Sequence, residues 1–215
     1  MKTVTILFDL DGTLIDSTPA IVESFDFAFK SFGENTPEHH KITELIGYPL
    51  DTIFEKLGVG RDKVGEYVEA YRISYFKIHN QKTKLIKDAR EAVILAYKFA
   101  NLGVVTTKTA SSSKKLLEYF DILNYFDTVI GREDVLFPKP DPEPIFKAIN
   151  SLKVETPNIW MIGDTILDAQ AALSANINIA TVLCGYGKRA DLEKYTNNIF
   201  ETPLKAVNYI KNLRI

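Results

Sequence analysis

Residues 4–17 read VTILFDLDGTLIDS. The first five, Val4-Thr5-Ile6-Leu7-Phe8, form an apolar run of strand length. The run is continuous rather than alternating, which marks a strand covered on both faces. Two carboxylates, Asp9 and Asp11, follow at once. A carboxylate at the end of a buried strand is costly unless something neutralises it. Two so close repel, and one pKa rises. A bound cation removes both costs, so the stretch predicts a buried strand ending at an acidic, cation-binding site.

Working outward, further apolar runs recur at 103–106, 128–130, 159–162 and 179–183. Helical patterns lie between or beside them, at 89–101, 112–120, 142–152 and 166–175. Strand-helix alternation with continuous apolar strands predicts an α/β fold, a doubly wound parallel sheet. Residues 18–84 break the alternation. They show helical patterns at 19–32, 50–57 and 62–79, punctuated by Gly33, Pro37, Gly47, Pro49, Gly58 and Gly60. The expected organisation is a core domain of residues 1–17 and 85–215 with a small helical cap domain of residues 18–84 inserted after the first strand. An insertion there belongs to the carboxyl edge of the sheet, where open α/β sheets bind ligands, so a lid is expected.

Composition narrows the function. Among 215 residues, 26 Lys and Arg stand against 28 Asp and Glu. That near balance offers neither a basic stripe for nucleic acid nor a face for an anionic membrane. The single cysteine, Cys184, lies in an apolar run and reads as core, and its solitude fits a reducing compartment. No run reaches bilayer-spanning length, and the start carries no signal-peptide pattern. A cytoplasmic protein, a monomer or weak homodimer, is expected.

Polar groups follow the other predicted strands: Thr106, Thr107 and Lys108; Lys139 between two prolines; Gly163 and Asp164, with Asp168 four residues on. In a parallel sheet these strand ends share one edge with Asp9 and Asp11. Each residue alone has a plainer reading. Thr106 suits a strand, Lys139 suits a surface, Asp164 suits a helix cap and Asp168 a first helical turn. Asp141 reads as a cap with Pro142 at the first helical position. His39, His40 and His79 lack a metal-ligand pattern and read as surface or packing residues.

Taken together, FDLDGTLIDS, Thr106 in GVVTTK, Lys139 in FPKPDPEPIFKAI, and IGDTILDAQAA with Asp164 and Asp168 resemble the four motifs of the haloacid dehalogenase superfamily. The resemblance is to its phosphoglycolate phosphatase-like group, which carries a helical C1-type cap, and it spans nearly the whole chain. Two places depart from the family pattern. Leu85-Ile86-Lys87-Asp88 stands where a Pro-Gly turn is usual, and Ala175-Asn176 stands where Ala-Gly is usual. Asn tolerates the left-handed conformation such a helix end requires.

The resemblance implies a phosphatase acting on a small phosphorylated metabolite through an aspartyl-phosphate. Asp9 is then the nucleophile, and Asp11 the general acid and later the general base. Mg²⁺ is held by the Asp9 and Asp164 side chains and the Asp11 carbonyl, with Asp168 supporting that shell. Thr106 and Lys139 join the catalytic set, contacting the phosphoryl group, and Gly12 and Thr107 line it. Gly47, in Ile46-Gly47-Tyr48-Pro49, is expected to meet the substrate from the cap. Phosphoglycolate comes first among substrates, ahead of sugar phosphates, nucleotide monophosphates and pyrophosphate. The rivals are a phosphosugar mutase of the same superfamily, a receiver-like regulatory domain and a catalytically silent phosphate-binding protein.

Overall fold

The computed structural model describes residues 2–153 and 158–213. The chain opens with β1 (Val4–Phe8) and β2 (Ile15–Asp16). It then runs through α1 (Thr18–Ser31), α2 (His39–Thr43), α3 (Leu50–Lys56) and α4 (Val64–Lys82) to β3 (Lys84–Leu85). Strand and helix alternate from there: α5 (Ala89–Tyr97), β4 (Ala100–Val105), α6 (Ala110–Tyr119), β5 (Thr128–Ile130), α7 (Glu143–Leu152) and β6 (Ile159–Gly163). The chain closes with α8 (Ile166–Ser174), β7 (Asn178–Val182), α9 (Arg189–Leu192), β8 (Ile199–Phe200) and α10 (Pro203–Asn212).

Two compact units result, one of residues up to 15 together with those from 85 onward, the other of residues 16–84. The first contains a six-stranded sheet in the order β5-β4-β1-β6-β7-β8. Its neighbouring strands all pair in parallel. The order reverses beside β1, which makes the crevice at its carboxyl end the place where such sheets take ligands. Every residue of β1 is buried, as the continuous apolar run requires. Ile6 and Phe8 pack on one face with Leu102, Val104 and Ile162. Leu7 packs on the other with Val105, Ile130 and Met161. Helices cover both faces, α5 and α10 contributing to the first cluster and α7 and α8 to the second.

The second unit is built on aromatic packing between α1, α3 and α4. Phe25 lies 4.7 Å from Phe54 and 5.0 Å from Tyr71, and Phe29 lies 5.4 Å from Tyr67. His79 stacks on Tyr75 at 5.3 Å and is buried, whereas His39 and His40 are exposed. The chain leaves the first unit within β2 and returns within β3, and those two strands pair. Just inside the first unit, the Ile86 N–H donates to the Leu14 carbonyl at 3.0 Å. Among the described residues, no helix is long and apolar enough to cross a membrane.

Several element ends differ from the sequence expectation. The helix expected over 89–101 stops at Tyr97, and Ala100–Val105 is strand. Alanines at 96 and 100 fit either period, and pairing of Ala100 with Val4 decides for the sheet. The helix expected over 62–79 is Val64–Lys82. α7 begins at Glu143 rather than Pro142, although the Asp141 carboxylate does accept the Glu143 N–H at 2.8 Å. α2, α9, β8 and α10 had no reading in the sequence. Asp88 and Asn176, at the two departures from the family pattern, both take left-handed backbone, with φ of 64° and 54°.

Candidate active site

Parallel register brings the motif residues to one edge. Phe8 lies beside Val104 and beside Ile162. Asp9, Thr106 and Asp164 therefore leave the sheet from three adjacent strand ends. The Asp9 N–H extends the ladder by donating to the Ile162 carbonyl at 2.8 Å. The Thr106 N–H does the same to Ile130 at 3.0 Å.

The carboxylates of Asp9, Asp164 and Asp168 are all buried and present oxygens within 4.8 Å of one another. Lys139, only 3% exposed, enters this cluster from the loop before α7. Its Nζ donates to Asp9 Oδ1 at 2.7 Å, to Asp168 Oδ1 at 2.5 Å and to the Val105 carbonyl at 3.1 Å. An ammonium has three protons to give, and all three are placed.

The other carboxylate oxygens are fixed locally. Asp168 Oδ2 accepts from the Thr165 N–H at 3.0 Å and from Thr165 Oγ1 at 2.7 Å, closing the first turn of α8. Asp168 thus lies in the first helical turn, as its plainer reading had it, and also turns an oxygen to Lys139. Asp164 is not the cap, since Thr165 holds that position. Asp164 Oδ1 accepts from Thr13 Oγ1 at 3.0 Å and Oδ2 from the Tyr186 N–H at 2.8 Å.

Charge follows from this crowding. Burial pushes Asp9 up to about 7; the Lys139 ammonium opposes that and the Asp168 charge adds to it. Burial, then the charges of Asp9 and Asp168, push Asp164 well above the usual carboxylate range. Lys139 is pulled down by burial, but Asp168 and Asp9 outweigh that and raise it. Three buried carboxylates thus face one ammonium.

Asp11 stands apart from the cluster. Its Oδ2 pairs with Lys108 Nζ at 3.1 Å, both side chains being largely buried. Gly12 follows with φ of 85°. A Cβ there would sit 2.3 Å from Asp164 Oδ2, so both the turn and the close approach demand glycine. Thr106 is buried, and its Oγ1 accepts from the Lys108 N–H at 3.2 Å. Thr107 lies half-buried in the same turn. Gly47 lies in the other unit, between α2 and α3, with φ of 112°. Cys184 is half-buried and packs against the core on the first face of the sheet. Its thiol donates to the Gly12 carbonyl at 3.5 Å and is pushed up to about 12 by burial and the Asp164 charge.

Comparison with known proteins bears on this geometry. The family profile described as haloacid dehalogenase-like hydrolase matches residues 6–182. The chain belongs to that family. Pyrophosphatase PpaX from Halalkalibacterium halodurans is 32% identical over 192 residues, 89% of this chain and 87% of the relative. The phosphoglycolate phosphatase of Aquifex aeolicus is 34% identical over 187 residues, 85% of this chain and 86% of the relative. Among solved structures, a haloacid dehalogenase-like family hydrolase from Streptococcus pneumoniae superposes with a TM-score of 0.86 at 28% identity, covering 97% of this chain and 99% of that one. The phosphatase-type hydrolase expected from the motifs is the enzyme class of these relatives.

Sequence reasoning missed several contacts in this haloacid dehalogenase-like site. Lys108 was visible as a charged residue at a strand end, but its pairing with Asp11 was not. The Tyr186 amide reaches Asp164 from the loop after β7, and Gly185 beside it has no room for a side chain, since a Cβ would lie 2.1 Å from Asp164 Oδ2. Two glycines in VLCGYG were the available signal.

Proposed function

We propose that the protein is a Mg²⁺-dependent phosphoric monoester hydrolase that forms an aspartyl-phosphate on Asp9. The observation that carries this reading is the buried cluster of three carboxylates against one lysine. So much negative charge in one buried place is costly, and hard oxygen donors of this kind suit Mg²⁺. Asp9 and Asp164, with the Asp11 carbonyl, would hold the ion, and Asp168 would support the shell through Lys139. When bound, the ion supplies positive charge against the phosphoryl oxygens.

The chain's own residues divide the rest. Lys139 holds Asp9 Oδ1, which orients the carboxylate and leaves its second oxygen for phosphorus. Attack forms the Asp9 O–P bond as the bond from phosphorus to the leaving oxygen breaks. Asp11 gives that oxygen a proton. In the second half Asp11 takes a proton from water, which attacks phosphorus, releases phosphate and restores the Asp9 carboxylate. Thr106 Oγ1 and the backbone around Thr107 would donate to phosphoryl oxygens, an arrangement that serves this chemistry.

The substrate class is a small phosphorylated metabolite. Phosphoglycolate leads, and pyrophosphate, an anhydride rather than a monoester, is the second reading, because a relative of each name shares about a third of its residues with this chain. The unit of residues 16–84 is proposed as the lid that selects among them through Gly47 and its neighbours. The test is kcat/KM across a panel of phosphorylated metabolites, with Mg²⁺ and with EDTA, for the wild type and Asp9→Asn. Turnover in EDTA, or by Asp9→Asn with contamination excluded, overturns the mechanism. An unchanged substrate ranking after mutation of the Gly47 loop overturns the selector role.

A further inference from the structure

We propose that Glu143 is a positioning residue for Lys139, its carboxylate clamping the loop that delivers the ammonium to Asp9 and Asp168. The proposal rests on the reading of Lys139 as part of the catalytic set.

The loop from Gly131 to Pro142 joins β5 to α7. Its first part is tied to the segment after β4. The Arg132 N–H donates to the Lys108 carbonyl at 3.0 Å, and Glu133 accepts the N–H groups of Ala110 and Ser111 at 2.9 and 3.3 Å. Its second part carries Lys139 and is tied differently. The Leu136 N–H donates to Glu143 Oε1 at 3.1 Å and the Phe137 N–H to Glu143 Oε2 at 2.7 Å. One carboxylate thus takes two consecutive amides.

Side-chain packing does not hold this stretch, because Leu136 is 79% and Phe137 is 62% exposed. Nor can many backbone bonds do so, since Pro138, Pro140 and Pro142 have no N–H to give. The chain turns back immediately after Lys139. The Asp141 N–H donates to the Pro138 carbonyl at 3.0 Å, and the Asp141 carboxylate accepts from the Glu143 N–H at 2.8 Å. Glu143, the first residue of α7, therefore closes the loop from both sides with Lys139 inside it.

The precision required explains such a device. Lys139 Nζ meets three acceptors at 2.5 to 3.1 Å in a buried cluster. Charge-assisted bonds of that length tolerate little displacement, and misplacement of about 1 Å in a catalytic group can cost ~10²-fold in rate. A glutamate in a first helical turn would ordinarily be read as a partner of the helix dipole. Here both its oxygens are turned to the loop.

The test compares Glu143→Ala, Glu143→Gln and Leu136→Gln with the wild type. Leu136→Gln changes an exposed side chain and keeps the backbone amide. Steady-state kinetics with Mg²⁺ are corrected for the fraction of folded protein, and ¹H–¹⁵N spectra of the lysine ammonium groups are recorded, the Lys139 signal being assigned by its absence in Lys139→Met. The expected result for Glu143→Ala is a kcat at least tenfold lower, KM within threefold, and a Lys139 signal broadened by exchange with water. Glu143→Gln, with one acceptor left, falls between, and Leu136→Gln stays within twofold of wild type. The proposal is overturned if Glu143→Ala keeps both its kcat and a sharp Lys139 signal. It is overturned equally if Leu136→Gln loses as much activity, or if KM rises at constant kcat. Should the wild type hydrolyse no phosphorylated metabolite at all, the functional reading fails, and the Lys139 signal alone decides the clamp.

Discussion

Asp9→Asn should separate function from stability at a single residue. Activity is expected to vanish, because the proposed nucleophile and a proposed metal donor go together. The metal-free fold should not suffer. Asp9 is pushed by burial from 3.8 up to about 7, so folding favours its protonated form. That contribution is complete below about pH 4 and is lost as pH rises through 7. Metal-free wild type should therefore lose Tm between about pH 4 and 7, and Asp9→Asn should flatten that slope, as thermal unfolding in EDTA across the window would show. An equally steep slope in the variant would mean that Asp9 does not carry the strain. Lys139→Met should lose both stability and activity. Removing one partner of a buried ion pair typically costs about 3–5 kcal/mol, and two carboxylates lose their donor here. Urea unfolding of the metal-free variant should register that loss along with a fall in kcat. Legibility at this scale was uneven. Asp9, Lys139, Asp164 and Asp168 were expected at one edge of the sheet, and they do meet in one buried cluster. The Lys108 pairing with Asp11 could not be expected, because nothing along the chain says where a flexible four-carbon side chain will reach.

Between strand and helix, short turns set the geometry. Gly12→Ala should abolish activity while leaving secondary structure intact, because the new Cβ meets Asp164 Oδ2 at 2.3 Å in a left-handed turn. Backbone strain of that kind costs about 1–3 kcal/mol. Circular dichroism and turnover measured together would show whether the two effects separate. The loop before α7 offers a direct reading of its clamp. Hydrogen bonds from Phe137 and Leu136 hold the Glu143 carboxyl below the usual glutamate range. Their amide shifts should titrate together, with a midpoint below 4.5, the ordinary value for that carboxyl. A midpoint at or above that value would contradict the bidentate contact. The elements most legible in the sequence were the long apolar strands, since burial on both faces leaves a continuous run. α9 and β8 were not legible. They are four and two residues long, too short for any period to register, and β8 exists because it pairs with β7.

At the level of the whole molecule, every carboxylate of the candidate metal cluster belongs to the unit that contains the six-stranded sheet. Mg²⁺ should therefore raise Tm at neutral pH, by an amount equivalent to about 2.7 kcal/mol at a hundred times its Kd. Asp164→Asn should lose that rise. A chain lacking residues 16–84 should keep it, because the remaining unit has a sheet covered on both faces and all three carboxylates of the candidate cluster. A shortened chain that folds but shows no Mg²⁺ response would place a necessary donor in the excised segment. The α/β architecture was legible because alternation of element types forces a parallel sheet. The packing within residues 16–84 was less so, since it is made by aromatic contacts such as Phe25 with Phe54 and Phe29 with Tyr67, distant in sequence. The bond from the Ile86 N–H to the Leu14 carbonyl has a further consequence. It makes exit and re-entry neighbours, so the whole intervening segment behaves as a cassette. A recombination event that exchanges it needs to match only two adjacent chain ends, and the sheet, with its acidic edge, is inherited unchanged.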